Sequence, residues 1–282
     1  MIYVEINGRL GNNMFEIAAA KSLTDEVTLW CKSDWQLNCI EMYRDTLFKD
    51  YPIVKYLPNN IKIYEESGFT FHPIPYKENQ DLLIKGYFQS YKYLNREKVL
   101  QLYPCPIAVK LDIEKRFGDL LSQYTVVSIN VRRGDYLKLP HRHPFVGKKF
   151  LERAMLWFGN NVHYIISSDD IEWCKTHFKQ FDNIHYLTNS YPLLDLYIQT
   201  ACHHNIISNS SFSWWGAYLN NHPQKIVIAP HRWFGMSTNI NTQDLLPPEW
   251  MIEHCVYEPK VFFKALPLHS KYLLKKVLKD ND

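Results

Sequence analysis

Two adjacent arginines, Arg132 and Arg133, stand directly after the apolar segment 125–131. Gly134, which allows a turn, and Asp135 follow them. The unbroken β-branched segment predicts a central strand of a parallel sheet, and ligands of such sheets bind beyond the carboxyl ends of the strands. Guanidinium groups offer a planar fork of donors that matches phosphate oxygens. The pattern favours a phosphate site, and the alternative is a surface Arg-Arg pair beside an ordinary Asp turn.

A second polar cluster, Ser168, Asp169 and Asp170, comes directly after the apolar segment 163–167. A carboxylate at a strand end can accept two hydrogen bonds from a guanine edge or from ribose hydroxyls. Ser and Asp are also preferred at the N-cap of a helix. Taken alone, these residues favour the helix cap over a binding role.

A serine-rich block, 208–216, lies between a short predicted strand and a predicted helix, and it contains Ser210, Ser211 and Phe212. Hydroxyl groups and free backbone N–H groups at a helix N-terminus suit a phosphate group. The alternative is a capping turn whose two tryptophans lie in the core. The residues alone favour neither interpretation.

Near the N-terminus, Gly8, Gly11 and Asn12 fall in a predicted turn over residues 7–13. The spacing matches neither the Gly-x-Gly-x-x-Gly dinucleotide fingerprint nor a Walker loop. A glycine turn lets backbone approach a ligand closely. The turn is therefore a candidate ligand-binding segment only because it directly follows the first predicted strand.

Four histidines occur in pairs: His141 and His143 flank Arg142, and His203 precedes His204. A metal site would need a third ligand at a suitable spacing, and the sequence offers none. We therefore predict no metal site and interpret these histidines as surface or capping residues. The absence of Gly-x-Ser-x-Gly argues against a hydrolase that uses this motif.

Strands alternate with helices in two series, one towards each end of the chain, which predicts parallel α/β sheets. We expect two Rossmann-like domains facing across a cleft, over residues 1–115 and 116–282. Residues 33–110 contain six prolines and give no clear pattern. The predicted strands are 2–6, 27–31, 125–131, 163–167, 184–187, 205–207 and 225–229, and the predicted helices are 14–23, 171–178, 193–203 and 213–219.

The charge, the cysteine spacing and the apolar segments of the chain limit the classes of function further. The formal net charge of the 282 residues is +3, which gives no argument for nucleic-acid binding. The six cysteines lie far apart without a Cys-x-x-Cys pair, as expected for a reducing compartment. The sequence shows neither a signal-peptide pattern nor an apolar run of about 18 residues. We therefore expect a cytoplasmic protein.

The C-terminal segment 270–279 places leucines on one helical face and lysines on another. Such a helix could contact an anionic membrane surface from the cytoplasmic side. Docking on its own domain is the favoured alternative. The sequence gives no indication of the oligomeric state.

Five segments occur together in the order GRLGNNMFEIAAAKSL, KGYFQSYKYL, VSINVRRGDY, ISSDDIEWC and DLYIQTACHHNIISNSSFSWWGAYLN. They resemble the bacterial-type α-1,2-fucosyltransferases of glycosyltransferase family 11, with similar gaps, from about residue 2 to about residue 230. The resemblance implies a GT-B type enzyme that needs no metal or other cofactor. It also implies that fucose passes from GDP-fucose to the 2-hydroxyl of a galactose-containing glycan, in surface polysaccharide synthesis.

The resemblance also implies roles for individual residues. It assigns Arg132 and Arg133 to the GDP pyrophosphate, and Asp169 and Asp170 to guanine or ribose. The serine block, with Ser210, Ser211 and Phe212, is assigned to the phosphate region. The turn with Gly11 and Asn12 is similar to one near the reacting sugar in protein O-fucosyltransferases, which implies that Asn12 lies at the chemistry.

GDP-fucose carries a β-linked sugar and the family's product is α-linked, so the reaction should invert in one displacement. Without a metal, fixed cations must stabilise the charge that builds on the pyrophosphate, by about 3–4 kcal/mol for each preorganised group. Arg132 is the first candidate for this role and Arg133 the second. Asp135 is a candidate base or orienting group.

One position departs from the family pattern. Asn130 stands where the family usually has His, two residues before the first arginine. Its amide can hydrogen-bond a base or a ribose, but it cannot act as a general base. Asn130 therefore leaves open a catalytically silent protein that binds a GDP-sugar or a glycan. A transferase for another fucose linkage or sugar nucleotide is a second alternative, because its phosphate-binding residues would look alike and only its acceptor region would differ.

Overall fold

The computed structural model describes residues 1–235, 238–255, 263 and 266–271. The chain divides into two compact units. The first unit comprises Met1–Pro106 with Asn241–Pro247, and the second comprises Ile107–Ile240 with Pro248–Asp282. Each unit contains one sheet with parallel strand pairing, so the predicted α/β class and its two sheets are confirmed.

The first unit contains the strands β1 (Ile2–Glu5), β2 (Val27–Trp30), β3 (Ile53–Val54), β4 (Lys62–Glu65) and β5 (Leu82–Lys85), and the helices α1 (Leu10–Lys21), α2 (Asp34–Glu41) and α3 (Arg96–Leu102). Its strand order is β3-β2-β1-β5-β4. The central strand β1 buries Ile2 and Val4 completely. Residues 33–110, which gave no clear sequence pattern, thus supply three of the five strands.

The N-terminal turn is shorter than predicted. Helix α1 begins at Leu10, so Gly11 and Asn12 lie in its first turn and not in a loop. Leu10 and Met14 are both buried one helical turn apart. The apolar face of the helix therefore begins before the glycine and the asparagines that suggest a turn.

The second unit begins with α4 (Ile107–Gln123) and continues through β6 (Thr125–Val131), α5 (Lys148–Leu156), β7 (Val162–Ser168), α6 (Ile171–Phe178), β8 (Ile184–Tyr186), α7 (Pro192–Ala201), β9 (His204–Ile206), α8 (Ser211–Leu219), β10 (Val227–Pro230) and β11 (Met251–Glu253). The strand order is β11-β10-β9-β6-β7-β8. The predicted strands and helices of this half are confirmed to within two residues at each end.

Strands β6 and β7 pair along their whole length, from Thr125 opposite Val162 to Val131 opposite Ser168. Because the two parallel strands end together, the segments that follow them meet at one edge of the sheet. The segment after β9, also a neighbour of β6, reaches the same edge. Parallel pairing therefore brings three of the predicted site segments together.

The boundary between the units lies before Ile107 and not after residue 115 as predicted. Helix α4 packs on α7 and β6, so it belongs to the second unit. Residues 241–247 return to the first unit, where the Asp244 carboxylate accepts the Phe71 N–H at 3.0 Å and Lys92 Nζ at 2.6 Å.

Most of the predicted C-terminal amphipathic helix cannot be compared with the structure. Apart from its first two residues, segment 270–279 lies outside the described residues. Across the described part of the chain, no helix is both long enough and apolar enough to cross a membrane.

Candidate active site

Arg132 is held between two carboxylates at the carboxyl ends of β6 and β7. Its Nη2 donates to Asp135 Oδ1 at 2.7 Å, and its Nη1 lies 2.8 Å from Asp169 Oδ2. The side chain is 27% exposed. Because two acceptors hold different edges of the guanidinium group, its plane is fixed while part of it faces solvent.

Gly134 makes room for this arrangement. A Cβ atom at this position would lie 2.6 Å from Asp169 Oδ2, which is too close for non-bonded atoms. The other carboxylate oxygen of Asp169 accepts the backbone N–H of Arg133 at 2.8 Å. Asp169 therefore holds both the backbone of the loop after β6 and the Arg132 side chain.

Arg133 has a different environment from its neighbour. Its Nε donates to Asp170 Oδ2 at 2.9 Å, and its guanidinium carbon lies 4.2 Å from the centre of the Trp173 ring and 4.7 Å from that of Phe145. Only 13% of the side chain is exposed. A cation enclosed by two rings and a carboxylate stabilises the loop. Arg132 is therefore the arginine that is better exposed to a ligand.

Asp170 also caps α6, because its Oδ1 accepts the Trp173 N–H at 3.3 Å. The helix-cap interpretation of Asp170 is thus correct. The same residue pairs with Arg133, so capping and site support occur together.

Asn130 is buried, with both ends of its amide hydrogen-bonded inside the protein. Its Nδ2 donates to Ser167 Oγ at 3.0 Å, and its Oδ1 accepts from Ser208 Oγ at 3.1 Å. These bonds connect β6 to the end of β7 and to the loop after β9. Asn130 therefore fixes the three segments that carry the site.

The serine-rich block forms the N-terminus of α8. Ser210 is the N-cap, and its Oγ accepts the Phe212 N–H at 3.3 Å. Ser211 and Phe212 are partly exposed in the first turn, while Ser213 Oγ donates to the carbonyl oxygens of Ser208 and Ser210 at 3.0 and 3.1 Å. A helix N-terminus fixed in this way favours an anion.

The tryptophans of the block, Trp214 and Trp215, are completely buried. The capping-turn interpretation is therefore right about these two side chains. It does not exclude an anion site, because the N-terminus of the helix and its buried rings are different parts of one element.

Tyr136 was not assigned a role from the sequence. Its hydroxyl donates to the Asn209 carbonyl at 2.9 Å, and its ring stacks on His143 with 5.0 Å between centres. The Arg132 guanidinium carbon lies 5.5 Å from the same ring. Burial raises the pKa of Tyr136 to about 12, so the hydroxyl stays protonated and keeps donating. Tyr136 therefore joins the loop after β6 to the loop after β9.

Asp195, in the first turn of α7, is a second residue that the sequence did not single out. Burial raises the pKa of this carboxyl to about 6. Its Oδ1 is buried and has no hydrogen-bond partner among the described residues. Leaving a buried acceptor unpaired is costly, so this oxygen is a candidate acceptor for a ligand N–H. From sequence alone, Asp195 resembles an ordinary acidic residue of a first helical turn.

The predicted residues of the first unit form a separate cluster at the end of β1. Asn12 Oδ1 accepts a hydrogen bond from Gln89 Nε2 at 2.9 Å, which joins α1 to the loop after β5. Gly8 has φ +77°, and a Cβ there would lie 2.1 Å from Asn12 Nδ2, so only glycine fits. Gly11 is buried in the same helical turn.

Glu16 lies beneath this turn and is completely buried. Its Oε2 accepts the Asn7 N–H at 3.0 Å and Asn13 Nδ2 at 3.2 Å. Burial raises the pKa of Glu16 well above its ordinary value. The turn before α1 is therefore fixed from below by a buried acid.

In the ranges that the structure describes, no three His, Cys, Asp or Glu side chains are grouped so that they could hold a metal ion. His203 Nδ1 accepts the Val126 N–H at 3.1 Å, and His204 Nδ1 accepts the Ile226 N–H at 3.0 Å. These two histidines therefore cap strand backbone, in agreement with their predicted capping role.

The sequence model of glycosyl transferase family 11 matches residues 1–254. An α-1,2-colitosyltransferase of Escherichia coli is 32% identical over 182 residues, which cover 59% of this chain and 60% of the relative. The O-antigen biosynthesis glycosyltransferase WbnK of Escherichia coli is 38% identical over 117 residues, 38% of each chain. The human galactoside α-(1,2)-fucosyltransferase 1 is 31% identical over 105 residues, 34% of this chain and 29% of the relative.

The chain thus spans 60% of the length of the colitosyltransferase and less of the other two relatives. Among solved structures, the α-1,6-fucosyltransferase NodZ soaked with GDP-fucose aligns with a TM-score of 0.50 and 11% identity, covering 80% of this chain and 94% of that chain. NodZ from Bradyrhizobium gives a TM-score of 0.50 at 10% identity, covering 76% and 91%.

At such low identity, the likeness to NodZ concerns the fold alone, an α/β architecture of GT-B type with two parallel sheets. The sequence match covers nearly the whole chain and includes every strand of both sheets. The chain therefore belongs to glycosyl transferase family 11.

Proposed function

We propose that this chain is an inverting glycosyltransferase that transfers L-fucose from GDP-fucose to the 2-hydroxyl of a galactoside, in the synthesis of surface glycans. The observation that carries the proposal is the partly exposed Arg132, fixed between Asp135 and Asp169 where β6 and β7 end. Relatives described as α-1,2-colitosyl- and galactoside α-(1,2)-fucosyltransferases support the linkage.

Arg132 acts on the leaving group. When the bond between fucose C1 and the β-phosphate oxygen breaks, negative charge builds on GDP and the sugar becomes oxocarbenium-like. A guanidinium group that is already oriented stabilises this charge without reorganising during the reaction. Asp169 and Asp135 provide that orientation.

The N-terminus of α8 supplies a further donor. The Ser210 hydroxyl, whose oxygen accepts the Phe212 N–H, can donate its own hydrogen to a phosphate oxygen, and the helix dipole favours negative charge there. Arg133 contributes indirectly, since its aromatic and Asp170 contacts fix the loop that presents Arg132.

Asp195 is our candidate for guanine recognition. Guanine presents two neighbouring N–H groups on one edge, and a buried carboxylate oxygen that no described residue contacts by a hydrogen bond can accept from them. Asp169 and Asp170 already accept from the two arginines, so we assign them to positioning. Asn130 contributes indirectly by connecting the three strand ends.

The acceptor hydroxyl loses its proton late if the transition state is dissociative, so a strong base is unnecessary. Asp135, whose side chain is 48% exposed, can accept that proton or orient the hydroxyl while it holds Arg132. In the first unit, the Asn12 amide, oriented by Gln89, is assigned to the reacting sugar.

The test is a GDP-release assay with GDP-fucose and a panel of β-galactosides. It compares wild type, Arg132→Ala and Arg116→Ala. Arg116 is a matched control, because it is a partly exposed arginine of α4 paired with Asp112 at 2.8 Å. We expect acceptor-dependent release that falls about 10²–10³-fold in Arg132→Ala and persists in Arg116→Ala.

Two results would count against the proposal. Equal losses in both arginine variants would remove the special role of Arg132. No release from wild type, with GDP binding intact by calorimetry, would favour the silent binding protein suggested by Asn130.

A second donor is favoured by a specific observation, the 32% identity to an α-1,2-colitosyltransferase. Colitose is fucose without its 3-hydroxyl, so both sugars could share one pyrophosphate site. Parallel assays with GDP-fucose and GDP-colitose compare their kcat/KM values. If kcat/KM is higher for GDP-colitose, colitose replaces fucose as the transferred sugar in the proposal. The role of Arg132 stays the same.

A further inference from the structure

Two aromatic side chains lie at the edge of the first unit's sheet. Phe69 follows β4 and Tyr87 follows β5, and these two strands are hydrogen-bonded neighbours. The rings stack with 6.1 Å between centres and an angle of 23°. Tyr87 is 39% exposed. The pair therefore presents aromatic surface at the carboxyl ends of parallel strands, where ligands of such sheets bind.

The backbone that carries Tyr87 is fixed by a partly buried acid. The N–H groups of Tyr87 and Phe88 both donate to Glu66 Oε2, at 2.9 and 2.8 Å. Phe88 is completely buried and contacts the Tyr93 ring edge-on at 5.3 Å. Its φ of +50° is rare for a bulky residue and is maintained by these contacts. The loop thus buries Phe88 and exposes Tyr87.

The loop that carries Phe69 is fixed as well. Two residues further on, the Phe71 N–H donates to Asp244 Oδ2 at 3.0 Å, and the Phe71 ring lies 4.9 Å from Tyr93. The next backbone N–H, of His72, donates to the Tyr93 hydroxyl at 3.2 Å. Both rings of the pair therefore belong to loops whose backbone is already held by the protein, which lowers the entropy cost of binding a ligand.

The aromatic pair is connected to the proposed chemistry. Gln89, two residues after Tyr87, donates to Asn12 Oδ1 at 2.9 Å. Aromatic surface in the loops after β4 and β5 is thus linked by Gln89 to the amide of Asn12 in the first turn of α1. This combination suits a sugar, which has both an apolar C–H face and a rim of hydroxyl groups.

We propose that Phe69 and Tyr87 form the platform on which a pyranose ring of the acceptor stacks, with the Asn12 amide, oriented by the buried Gln89, beside its hydroxyl groups. This inference rests on the proposed function and deepens it by naming the acceptor subsite. The ligand class is a neutral glycan that ends in a hexose with an exposed C–H face, such as a β-galactoside.

The experiment compares wild type, Tyr87→Ala, Tyr87→Phe and Tyr56→Ala. Tyr56 is the matched control: it is 82% exposed and follows β3, the edge strand at the opposite end of the sheet. The readouts are KM for lactose, KM for GDP-fucose and kcat. We expect Tyr87→Ala to raise the lactose KM about three- to tenfold without changing the GDP-fucose KM. Tyr87→Phe and Tyr56→Ala should resemble wild type.

Saturation-transfer NMR with lactose and GDP gives a second readout that does not require turnover. When the aromatic protons of the protein are saturated, the galactose protons should show a saturation-transfer signal in wild type. This signal should be weaker in Tyr87→Ala. An active wild type with an unchanged lactose KM in a folded Tyr87→Ala would overturn the platform. So would equal or absent transfer in both proteins. An inactive wild type that still shows Tyr87-dependent transfer would instead overturn the proposed function and keep the platform.

Discussion

The carboxyl edges of the two sheets carry different chemistry. In the second unit, the edge is charged: Arg132 lies between Asp135 and Asp169, and Arg133 pairs with Asp170. In the first unit, the first turn of α1 carries the Asn12 amide, and the loops after β4 and β5 carry Phe69, Tyr87 and Gln89. The same parallel architecture thus presents arginines at one edge, the charged edge, and amides and aromatic rings at the other. We call the second the neutral edge after these side chains; Glu66 and the Glu5–Lys32 ion pair also lie there.

The difference matches what the proposed glycosyl transfer requires of its two substrates. A nucleoside diphosphate is an anion that gains charge as it leaves, so it requires fixed cations. A neutral acceptor glycan offers hydroxyl groups and C–H faces, which amides and aromatic rings recognise at little desolvation cost. Under the proposed function, the donor therefore belongs to the charged edge and the acceptor to the neutral edge.

The largest effect should come from exchanging each arginine of the charged edge for lysine. Arg132→Lys keeps the charge but loses the planar fork that both carboxylates hold, so kcat/KM for GDP-fucose should fall about 100-fold. Arg133→Lys should instead lower the free energy of unfolding by about 1–2 kcal/mol, because it loses its stacking on Trp173 and Phe145. Steady-state kinetics and urea unfolding of both variants measure the two effects.

The reverse outcome, with activity depending on Arg133 and stability on Arg132, would contradict the assignment made from their exposure. If Arg132→Lys and Arg133→Lys change kcat/KM and the free energy of unfolding equally, the two side chains act as one group.

A smaller effect is expected at the neutral edge. Gln89→Glu preserves the shape of the side chain but removes the donor to Asn12 Oδ1. This hydrogen bond orients the Asn12 amide and is worth about 0.5–1.5 kcal/mol, so kcat/KM for the acceptor should fall about tenfold at an unchanged KM for GDP-fucose. Gln101→Glu, at an exposed position of α3, is the matched control. A raised GDP-fucose KM in Gln89→Glu would contradict the separation of donor and acceptor edges.

The third prediction concerns the pH dependence of stability at the neutral edge. Burial raises the pKa of Glu66 from 4.5 to about 7. The folded state therefore binds this proton more tightly than the unfolded state, and the stability that it contributes is complete below pH 4.5 and is lost as the pH rises through 7. Glu66→Gln removes this dependence. The variant should gain on the order of 2 kcal/mol relative to wild type between pH 5 and pH 8.

Urea unfolding at several pH values measures this difference. Glu65→Gln, at the exposed neighbouring carboxylate, is the control for the loss of a negative charge. If the difference in free energy of unfolding between Glu66→Gln and wild type does not change with pH, the titration of Glu66 does not affect the stability of the loop that carries Tyr87.

Much of the second unit could be predicted from the sequence, for a physical reason. Its strands are short apolar segments such as 125–131, buried on both faces, and they end in polar residues that cannot be buried with them. Parallel strands end at a common edge, so the sequence pattern alone leads one to expect Arg132, Asp169 and Ser210 to lie together. The first unit was less predictable, because β3, β4 and β5 are separated by long irregular segments.

Other features required the folded chain. Two arginines are neighbours in the sequence, but only the packing of Trp173 and Phe145 distinguishes the enclosed Arg133 from the exposed Arg132. The burial of Asp195 Oδ1 without a hydrogen-bond partner among the described residues could not be predicted either. Burial is decided by the neighbours of a residue in the fold and not by its type.

The sequence determines the family, the polar segments that follow β6, β7 and β9, and the order of the second unit's elements apart from α4, α5 and β11. Local hydrophobic patterns and adjacent polar residues encode these features. Which of those polar groups face a ligand and which support the fold is a property of the folded chain. It depends on contacts between distant segments, such as Glu66 with the Tyr87 loop and Asn130 with Ser208. Contacts of this kind have no local signature in the sequence.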